Sequence, residues 1–449
     1  MIPSGVKGHR SRRQKGASNM RVKVYRLIAA ALTTATWPVA AWAQESVLVD
    51  TAIPDSFNRD RNVSVTERAR PDFDPLGIIR GAFTFLPQVQ AGVGVSDNVF
   101  LTRDSKRSDG YGYFAPAITM TSDLPRDEIR ASARAVLGRW FKYDNRNQNT
   151  FDLRLLGRKD IGDAYSVTGE AQYARIYEQP NSGAVDPSTA VLSAFNRSYF
   201  AVRGRYAFGR VQATVGVDRT AFTFDDLTLA NGTPINQDSR DQVQQRLTAE
   251  LQYALSPSLS IYGQVGGSKI EYSTMLFNVE NRDSKGLRIV GGFNFDLAGL
   301  MRGKLGAGYI ERDYDSPLYK DAHGVSVEGQ VEFFPTELTT VGVAVARTLR
   351  DTNLAFNTGA FFDNSVTARV DHELLVNLLL GASGEYRHQV YLGTPTRADY
   401  YRASGTATYF ANRSIVLRGE AGWQRRTIND NATNRFSEFR GELSITFRR

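Results

Sequence analysis

Charged side chains alternate with apolar ones through most of the sequence after residue 81, and they are the residues that could do chemistry. In the segment 241–254, Arg246 and Glu250 share one parity, while Leu247 and Leu251 share the other. Side chains of a β-strand point to opposite faces in turn, so the charges would occupy one polar face. Arginine on such a face suits sugar hydroxyls, carboxylates or phosphates, because its planar guanidinium donates paired hydrogen bonds.

Charged residues of this polar parity would line the space that the strands enclose and set its ion preference. Many of them could instead pair across neighbouring strands and stabilise the wall. The candidates are Arg130, Arg134, Arg154, Arg203, Arg205, Arg246, Glu250, Arg288, Arg302, Glu328, Glu332, Arg369, Glu385, Arg387, Arg402, Arg418, Glu420, Arg440 and Glu442.

Catalysis finds little support in the residue types. The chain has no cysteine, which excludes thiolate nucleophiles, thiolate metal sites and disulfides. His323, His372 and His388 lie far apart and form no recognisable triad or metal-ligand spacing. We therefore predict no catalytic residue, no cofactor-binding residue and no metal ligand, and we do not expect an enzyme.

The alternation divides the chain after residue 81 into segments with the period of half-buried β-strands, and helical spacing is absent from them. The predicted strands span 82–98, 111–121, 128–143, 149–158, 164–178, 197–206, 211–224, 241–254, 259–272, 284–295, 302–314, 322–333, 338–350, 362–372, 376–391, 399–409, 415–427 and 435–447.

The connections between these segments alternate in length. Short ones such as 207–210 and 255–258 follow even-numbered strands, while longer ones such as 99–110 and 225–240 mostly follow odd-numbered strands. This is typical of outer-membrane barrels, which turn tightly in the periplasm and carry long loops outside. A closed barrel also pairs every backbone group without water. The predicted fold class is all-β, a transmembrane antiparallel up-and-down β-barrel of about 18 strands.

Aromatic residues recur beside the short connections. Tyr206, Phe208, Phe334, Tyr409 and Phe410 all lie just before or within them. Aromatic residues of outer-membrane barrels form girdles at the lipid interfaces. We therefore predict a periplasmic girdle at this end of the barrel.

The N-terminal region has the pattern of a targeting segment. Residues 1–43 carry a basic stretch, an apolar stretch and an Ala-Trp-Ala cleavage pattern at 41–43, so we predict a signal peptide, with Met20 as a candidate true start. Residues 44–80 have no strong period and are predicted as a periplasmic tail or linker, with a small plug as the less favoured alternative. Residues 81–449 would form the barrel, with both termini periplasmic in the outer membrane of a Gram-negative bacterium.

The net charge of +8 belongs to the targeting segment. Eight of the 55 basic residues lie in 1–43, which contains no acid, and the rest balance the 47 acidic residues. We therefore expect no nucleic-acid partner.

The long connection 179–196 is unusually apolar for an external loop, so it could fold into the lumen as a constriction or contact a partner.

The start of the barrel carries specific motifs. They are VTER at 65–68, RPDFDPLG at 70–77, GAFTFLP at 81–87 and GVGVSDNVF at 92–100. Together they resemble the "putative β-barrel porin 2" family of outer-membrane proteins, with Ser96 as a small departure before Asp97-Asn98. The resemblance implies an outer-membrane barrel linked to exopolysaccharide loci, and it supplies no catalytic residue.

These observations favour a porin-like outer-membrane barrel that conducts polar solutes and takes part in exopolysaccharide export. The alternative is a non-conducting structural or surface barrel whose loops bind polysaccharide or mediate attachment. The expected partners are outer-membrane lipid and lipopolysaccharide, the barrel assembly machinery and polysaccharide-export proteins.

Overall fold

The computed structural model describes residues 63–178, 193–228, 233–274, 281–297, 299–352, 358–429 and 435–449. The predicted signal peptide over 1–43 lies outside the described residues. So do residues 44–62 of the predicted tail and most of the apolar connection 179–196. The predictions for these segments stay predictions.

Eighteen long antiparallel strands form a closed barrel in the described part of the chain, as the alternation predicts. Each strand pairs with its neighbours in sequence, and the last strand pairs with the first. The barrel strands are β2 (Phe83–Ser96), β3 (Asp109–Ser122), β4 (Glu128–Trp140), β5 (Gln148–Ile161), β6 (Tyr165–Tyr177), β7 (Ala194–Phe208), β8 (Val211–Phe224), β11 (Gln242–Ser256), β12 (Leu259–Tyr272), β13 (Ser284–Leu297), β14 (Met301–Tyr314), β15 (Ala322–Thr336), β16 (Thr339–Asp351), β17 (Ala360–Leu375), β18 (Leu378–Tyr391), β19 (Arg397–Phe410), β20 (Ile415–Ile428) and β21 (Phe436–Arg448).

Three short strands complete the set. β1 (Ile78–Arg80) forms a hairpin with the start of β2, while β9 (Leu227–Thr228) and β10 (Pro234–Ile235) pair with each other in a loop. Within the described ranges, helical structure is confined to single 3₁₀ turns, and no helix is long and apolar enough to cross a membrane.

The two ends of the barrel differ in their connections. Connections such as 209–210, 257–258 and 337–338 are short and lie at one end, which we call the short-turn end. Connections such as 97–108 lie at the other, the long-loop end. The start of the barrel and the last residue of the chain both lie at the short-turn end, because the strand number is even.

The outer face of the wall is apolar and the inner face is polar. The two faces stay distinct around the barrel because residues that pair across neighbouring strands point to the same side. On β11, Leu247 and Leu251 are exposed on the outer face, while Arg246 and Glu250 point inward. Tyr206, Phe208 and Tyr409 share the outward parity at the short-turn end, where a girdle was predicted.

Two of the predicted girdle aromatics were assigned wrongly. Phe334 and Phe410 have the inward parity and are buried. The Arg302 guanidinium lies over the Phe334 ring at 5.5 Å. The Phe410 ring packs against Phe73 with centroids 6.4 Å apart. Both rings therefore pack inside the barrel and are not part of a lipid-facing girdle.

Candidate functional site in the barrel interior

All of the charged candidates from the sequence lie on the inner face of the barrel. Residues that pair directly across neighbouring strands point to the same face, so the inward positions can be followed from strand to strand around the wall, as in the pairs Arg246–Asp218 and Arg302–Glu332. The alternate positions on each strand point outward and expose apolar side chains. Contact of these inner charges with a passing solute stays a prediction, since their orientation alone does not show it.

Glu328 on β15 collects donors from three other strands. Its carboxylate lies 2.6 Å from Nη2 of Arg288 and 3.6 Å from Nζ of Lys304. The Tyr262 hydroxyl donates to it at 2.8 Å. Glu328 is only 3% exposed, so these charges neutralise one another within the wall.

Tyr262 reaches Glu328 because two glycines leave room for its ring. The ring starts on β12 and crosses β13 and β14, over Gly292 and Gly306, where a Cβ atom would collide with it. Lys304 Nζ lies 4.2 Å from the ring centroid on the lumen side. Its hydroxyl is bound and its ring is only 5% exposed, so Tyr262 acts as a part of the wall.

A similar arrangement stands where the barrel closes. Tyr111 and Tyr113 on β3 lie across Gly94 and Gly92 of β2 and donate to Glu442 of β21, at 2.8 Å and 2.7 Å. The two rings therefore bridge the seam between the first and last barrel strands. Hydrogen bonds to a charged acceptor are among the stronger ones in proteins.

Several other candidates form ion pairs along the wall. Asp363 on β17 lies 3.1 Å from Arg350 and 3.4 Å from Arg387, whose Nε also lies 2.5 Å from Glu385. Further pairs are Arg246–Asp218, Arg203–Glu170, Arg302–Glu332, Lys304–Glu250, Arg418–Glu420 and Arg440–Glu438. Arg205 instead donates to Gln212, at 2.6 Å.

A smaller group of inward guanidiniums reaches water. The side chains of Arg130, Arg154 and Arg369 are 43%, 51% and 54% exposed, although each contacts one carboxylate. Arg402 also points inward, and it forms no ion pair with any other described residue. Arg402 is half-buried, so all four of these arginines are accessible from the lumen.

The segment 63–77 lies across the inner face at the short-turn end. Val65 is fully buried, and its backbone N–H donates to Thr340 Oγ1 on β16 at 3.0 Å. Val65 packs in a cluster with Leu379, Phe410 and Val416, which point inward from β18, β19 and β20. The described part of the predicted tail is therefore docked inside the mouth of the barrel.

Arg70 holds this segment in place. Its guanidinium donates to Glu373 Oε2 on β17 at 2.9 Å and to the Val65 carbonyl at 2.7 Å. It also donates to the carbonyls of Arg68 and Val376, at 3.0 Å and 3.2 Å. Arg70 is only 5% exposed, so its charge is compensated entirely by these acceptors.

Contacts from both sides of the lumen hold the rest of the segment. Glu67 lies 3.5 Å from Arg302 on β14. Arg448 on β21 donates to the Phe73 carbonyl at 2.8 Å. The Asp74 carboxylate closes a turn by accepting from the Arg70 backbone N–H at 2.6 Å. The RPDFDPLG motif thus folds back on itself while its first residue anchors it to the wall.

Sequence reasoning missed Arg70, Glu373, Tyr111 and Tyr113 as important residues. Glu373 has the inward parity of its strand, and Arg70 opens the motif that carried the family resemblance. The sequence thus distinguished both residues, but it did not show that they contact each other. One pattern could have indicated the Tyr111 and Tyr113 contacts. Both tyrosines have inward parity, and each pairs with a glycine of the adjacent strand, Gly94 and Gly92.

The chain resembles several solved outer-membrane proteins in structure. OpdL of Pseudomonas aeruginosa aligns with a TM-score of 0.42 and 11% identity over 82% of this chain and 99% of that one. OccAB4 of Acinetobacter baumannii aligns with a TM-score of 0.43 and 12% identity over 85% and 100%. A BenF-like porin of Pseudomonas fluorescens Pf-5 aligns with a TM-score of 0.45 and 10% identity over 81% and 98%.

No curated protein matches the sequence. The sequence profile described as "Putative beta-barrel porin 2" matches residues 70–449, which is well over half of the chain. The matched range begins at Arg70, the anchor of the docked segment, and includes every strand of the barrel. The chain therefore belongs to this family of porin-like outer-membrane β-barrels.

Proposed function

We propose that this protein is an outer-membrane pore that conducts polar solutes and favours those that carry carboxylates or phosphates. The observation that carries the proposal is a group of inward arginines that are accessible from the lumen: Arg130, Arg154 and Arg369, which are about half exposed, and the half-buried Arg402. Most other inner charges are satisfied by partners within the wall. Exposed guanidiniums in a lumen attract anions and donate paired hydrogen bonds to them.

The proposed orientation places the short-turn end in the periplasm. Outer-membrane barrels make their short turns there and project long loops outward. The chain enters the barrel at the short-turn end, which fits a protein exported with an N-terminal signal. Both termini would then be periplasmic, within reach of the barrel assembly machinery and of polysaccharide-export proteins.

The wider role that we propose is a part in exopolysaccharide export. An acidic polysaccharide presents carboxylates and hydroxyls, the groups that arginine recognises. The resemblance of the entrance motifs to a family linked with exopolysaccharide loci also supports this substrate class. We propose no catalytic role for the chain.

One observation favours the second candidate function, a non-conducting barrel whose loops bind polysaccharide or mediate attachment. Segment 63–77 docks inside the short-turn mouth and covers inward residues of several strands. If it closes the passage, the barrel would act as a surface protein. Conductance distinguishes the two functions directly.

Single-channel recording in planar bilayers tests the proposal. We expect the wild-type barrel to conduct and, in a KCl gradient, to show a reversal potential that indicates a preference for anions. The variant Arg154→Gln/Arg369→Gln should lower the anion-to-cation permeability ratio by about two-fold, because it removes two exposed lumen charges.

The matched control is Arg126→Gln/Arg219→Gln, which removes two exposed charges outside the lumen. It should leave the permeability ratio unchanged. A folded, heat-modifiable wild-type barrel that passes no current would exclude the pore and support the surface protein. A ratio that falls equally in both variants would show that the lumen arginines do not set the selectivity.

A further inference from the structure

A cluster of outward-facing arginines stands at the long-loop end of β18–β21. Arg397, Arg425 and Arg435 line a hollow of about 730 Å³, and Arg103 reaches it from the loop after β2. The outward parity of Arg397 follows from its pairing with Val390 of β18, and that of Arg425 from its pairing with Tyr401 of β19. We call these four side chains the arginine patch.

The patch lies directly beyond a set of exposed aromatic residues. Tyr386, Tyr401, Trp423 and Phe439 point outward from the same four strands. Trp423 precedes Arg425 by two residues on one face, which is about 7 Å along a strand. Tryptophan and tyrosine mark the boundary between hydrocarbon and headgroups, so the arginine patch lies at headgroup level.

Among the described residues, the one carboxylate within ion-pair distance of the patch is that of Asp104, whose Oδ1 atom lies 3.3 Å from Nε of Arg103. The one acidic side chain among the residues of the hollow is Asp399. Its Oδ1 atom already accepts from the Tyr386 hydroxyl at 2.8 Å and contacts His388 Nδ1 at 2.8 Å. Among the residues that the structure describes, neither Arg397 nor Arg425 has a carboxylate within ion-pair distance.

We propose that the arginine patch binds the phosphorylated headgroup of a glycolipid in the outer leaflet of the membrane. Guanidinium groups bind phosphate oxygens through two parallel hydrogen bonds, and they bind most strongly where water is partly excluded. The aromatic residues beneath would pack against the first methylenes of the acyl chains. This inference rests on the proposed orientation, because the long-loop end must face the outer leaflet.

The positive charge of the arginine patch and its position on the outer wall together favour a lipid phosphate as the ligand. A site for a soluble solute would lie in the lumen or on the loops, whereas this hollow opens on the lipid-facing side of the wall. A phosphate that is carried on a lipid reaches this height without leaving the membrane. Lipopolysaccharide, which we expect around the barrel, presents phosphates at this level.

Binding of lipid A to the purified full barrel in detergent tests the site. Trp423 fluorescence reports on binding, because this side chain lies beside the patch. We expect saturable binding of bisphosphorylated lipid A, at least ten-fold weaker binding to Arg397→Gln/Arg425→Gln, and at least ten-fold weaker binding of dephosphorylated lipid A to the wild type. Native mass spectrometry of the same samples gives the number of bound lipids.

The control variant is Arg80→Gln/Arg126→Gln, which makes the same charge change at the short-turn end. It should bind lipid A like the wild type. Equal affinity of the patch variant and the wild type would overturn the proposal, and so would equal affinity for the dephosphorylated lipid. Inorganic phosphate that competes at millimolar concentration would support recognition of the phosphate group itself.

The orientation is tested separately in intact cells. The chain has no cysteine, so Ser108→Cys and Asp163→Cys each introduce a single thiol, at the long-loop and short-turn ends. A membrane-impermeant maleimide should label only the first. Labelling of only the second would overturn the orientation and the outer-leaflet assignment, while phosphate-dependent binding in detergent would still establish the arginine patch as a lipid site.

Discussion

Arg70 shows how much one residue can organise in this barrel. Four of its five guanidinium N–H groups donate to a carboxylate on β17 and to three backbone carbonyls, and its Cζ atom lies 5.6 Å from the centroid of the Phe410 ring. Burial of a charge is costly unless each of its donors finds an acceptor. Four of the five donors of Arg70 are satisfied in this way, and through them Arg70 couples the N-terminal segment to the wall.

Arg70→Met should release the segment from the mouth of the barrel. The substitution keeps an unbranched aliphatic stem but leaves Glu373 buried without its main partner, which costs about 3 kcal/mol. We expect limited proteolysis in detergent to cut before residue 77 at least ten times faster than in the wild type. The exposed neighbour Asp72 provides the control variant, Asp72→Asn. Equal cleavage rates in all three proteins would show that Arg70 does not hold the segment.

Among the strands, β2 has the most constrained position. Its residues 88–96 pair with β21, while residues 83–85 pair with β1 on the same edge. Pro87 lies between these two stretches, where the neighbouring strand changes from β1 to β21. Proline fits this position because it has no backbone N–H that would need an acceptor. Gly92 and Gly94 then let the two tyrosines of β3 pass over this strand to Glu442.

Gly92→Ala should weaken the seam between β2 and β21. The new methyl group would lie 2.5 Å from the Tyr113 ring, so the ring must move and lose its bond to Glu442. A lost hydrogen bond to a charged group costs about 2 kcal/mol. We expect a lower temperature for the loss of the folded band in semi-native gels, and a smaller decrease for Tyr113→Phe. Gly405→Ala is the control, because a Cβ there meets no atom within 4 Å; an equal decrease in that variant would contradict the steric explanation.

The alternation in the sequence predicts individual strands well and their contacts poorly. β8 and β12 begin and end at the predicted residues, because turn residues flank them on both sides. β17 was predicted over 362–372 but spans Ala360–Leu375, since pairing with β16 and β18 extends both of its ends. Strand ends therefore depend partly on neighbours that a local pattern does not contain.

The same limit applies to the candidate site. Parity alone placed the charged candidates on the inner face. It could not separate Arg288, which Glu328 neutralises, from Arg154, which remains exposed. Those partners are set by the register and by glycines on intervening strands. The docking of segment 63–77 joins Arg70 to a residue 303 positions later, a distance that no local motif reveals.

At the scale of the whole molecule, the barrel wall and the docked segment together set the width of the passage in the proposed pore. Eighteen strands enclose a water-filled lumen in barrels of this size. Segment 63–77 narrows this lumen at the short-turn end, beside β14 and β16–β21. If the barrel conducts as we propose, this segment is the part of the described structure that would limit conductance without any change in the wall.

Removal of residues 44–76 should widen the passage. The truncated chain keeps β1 and all barrel strands, so we expect it to fold and to show the heat-modifiable band of the wild type. Single-channel conductance in planar bilayers should rise by about two-fold, because ionic current grows with the open cross-section at the narrowest point. Conductance equal to that of the wild type would show that the docked segment leaves the passage open.

The tyrosine bridges across the closing seam also restrict how a long polymer could use this barrel. Tyr111 and Tyr113 tie β3 to β21 over the strand between them, so β2 and β21 cannot part without breaking two bonds to Glu442. Side-loading of a chain through a parted wall is thereby disfavoured. In the export function that we propose, a polymer would therefore be threaded end-on, and the periplasmic component that delivers it would have to align with the axis of the barrel.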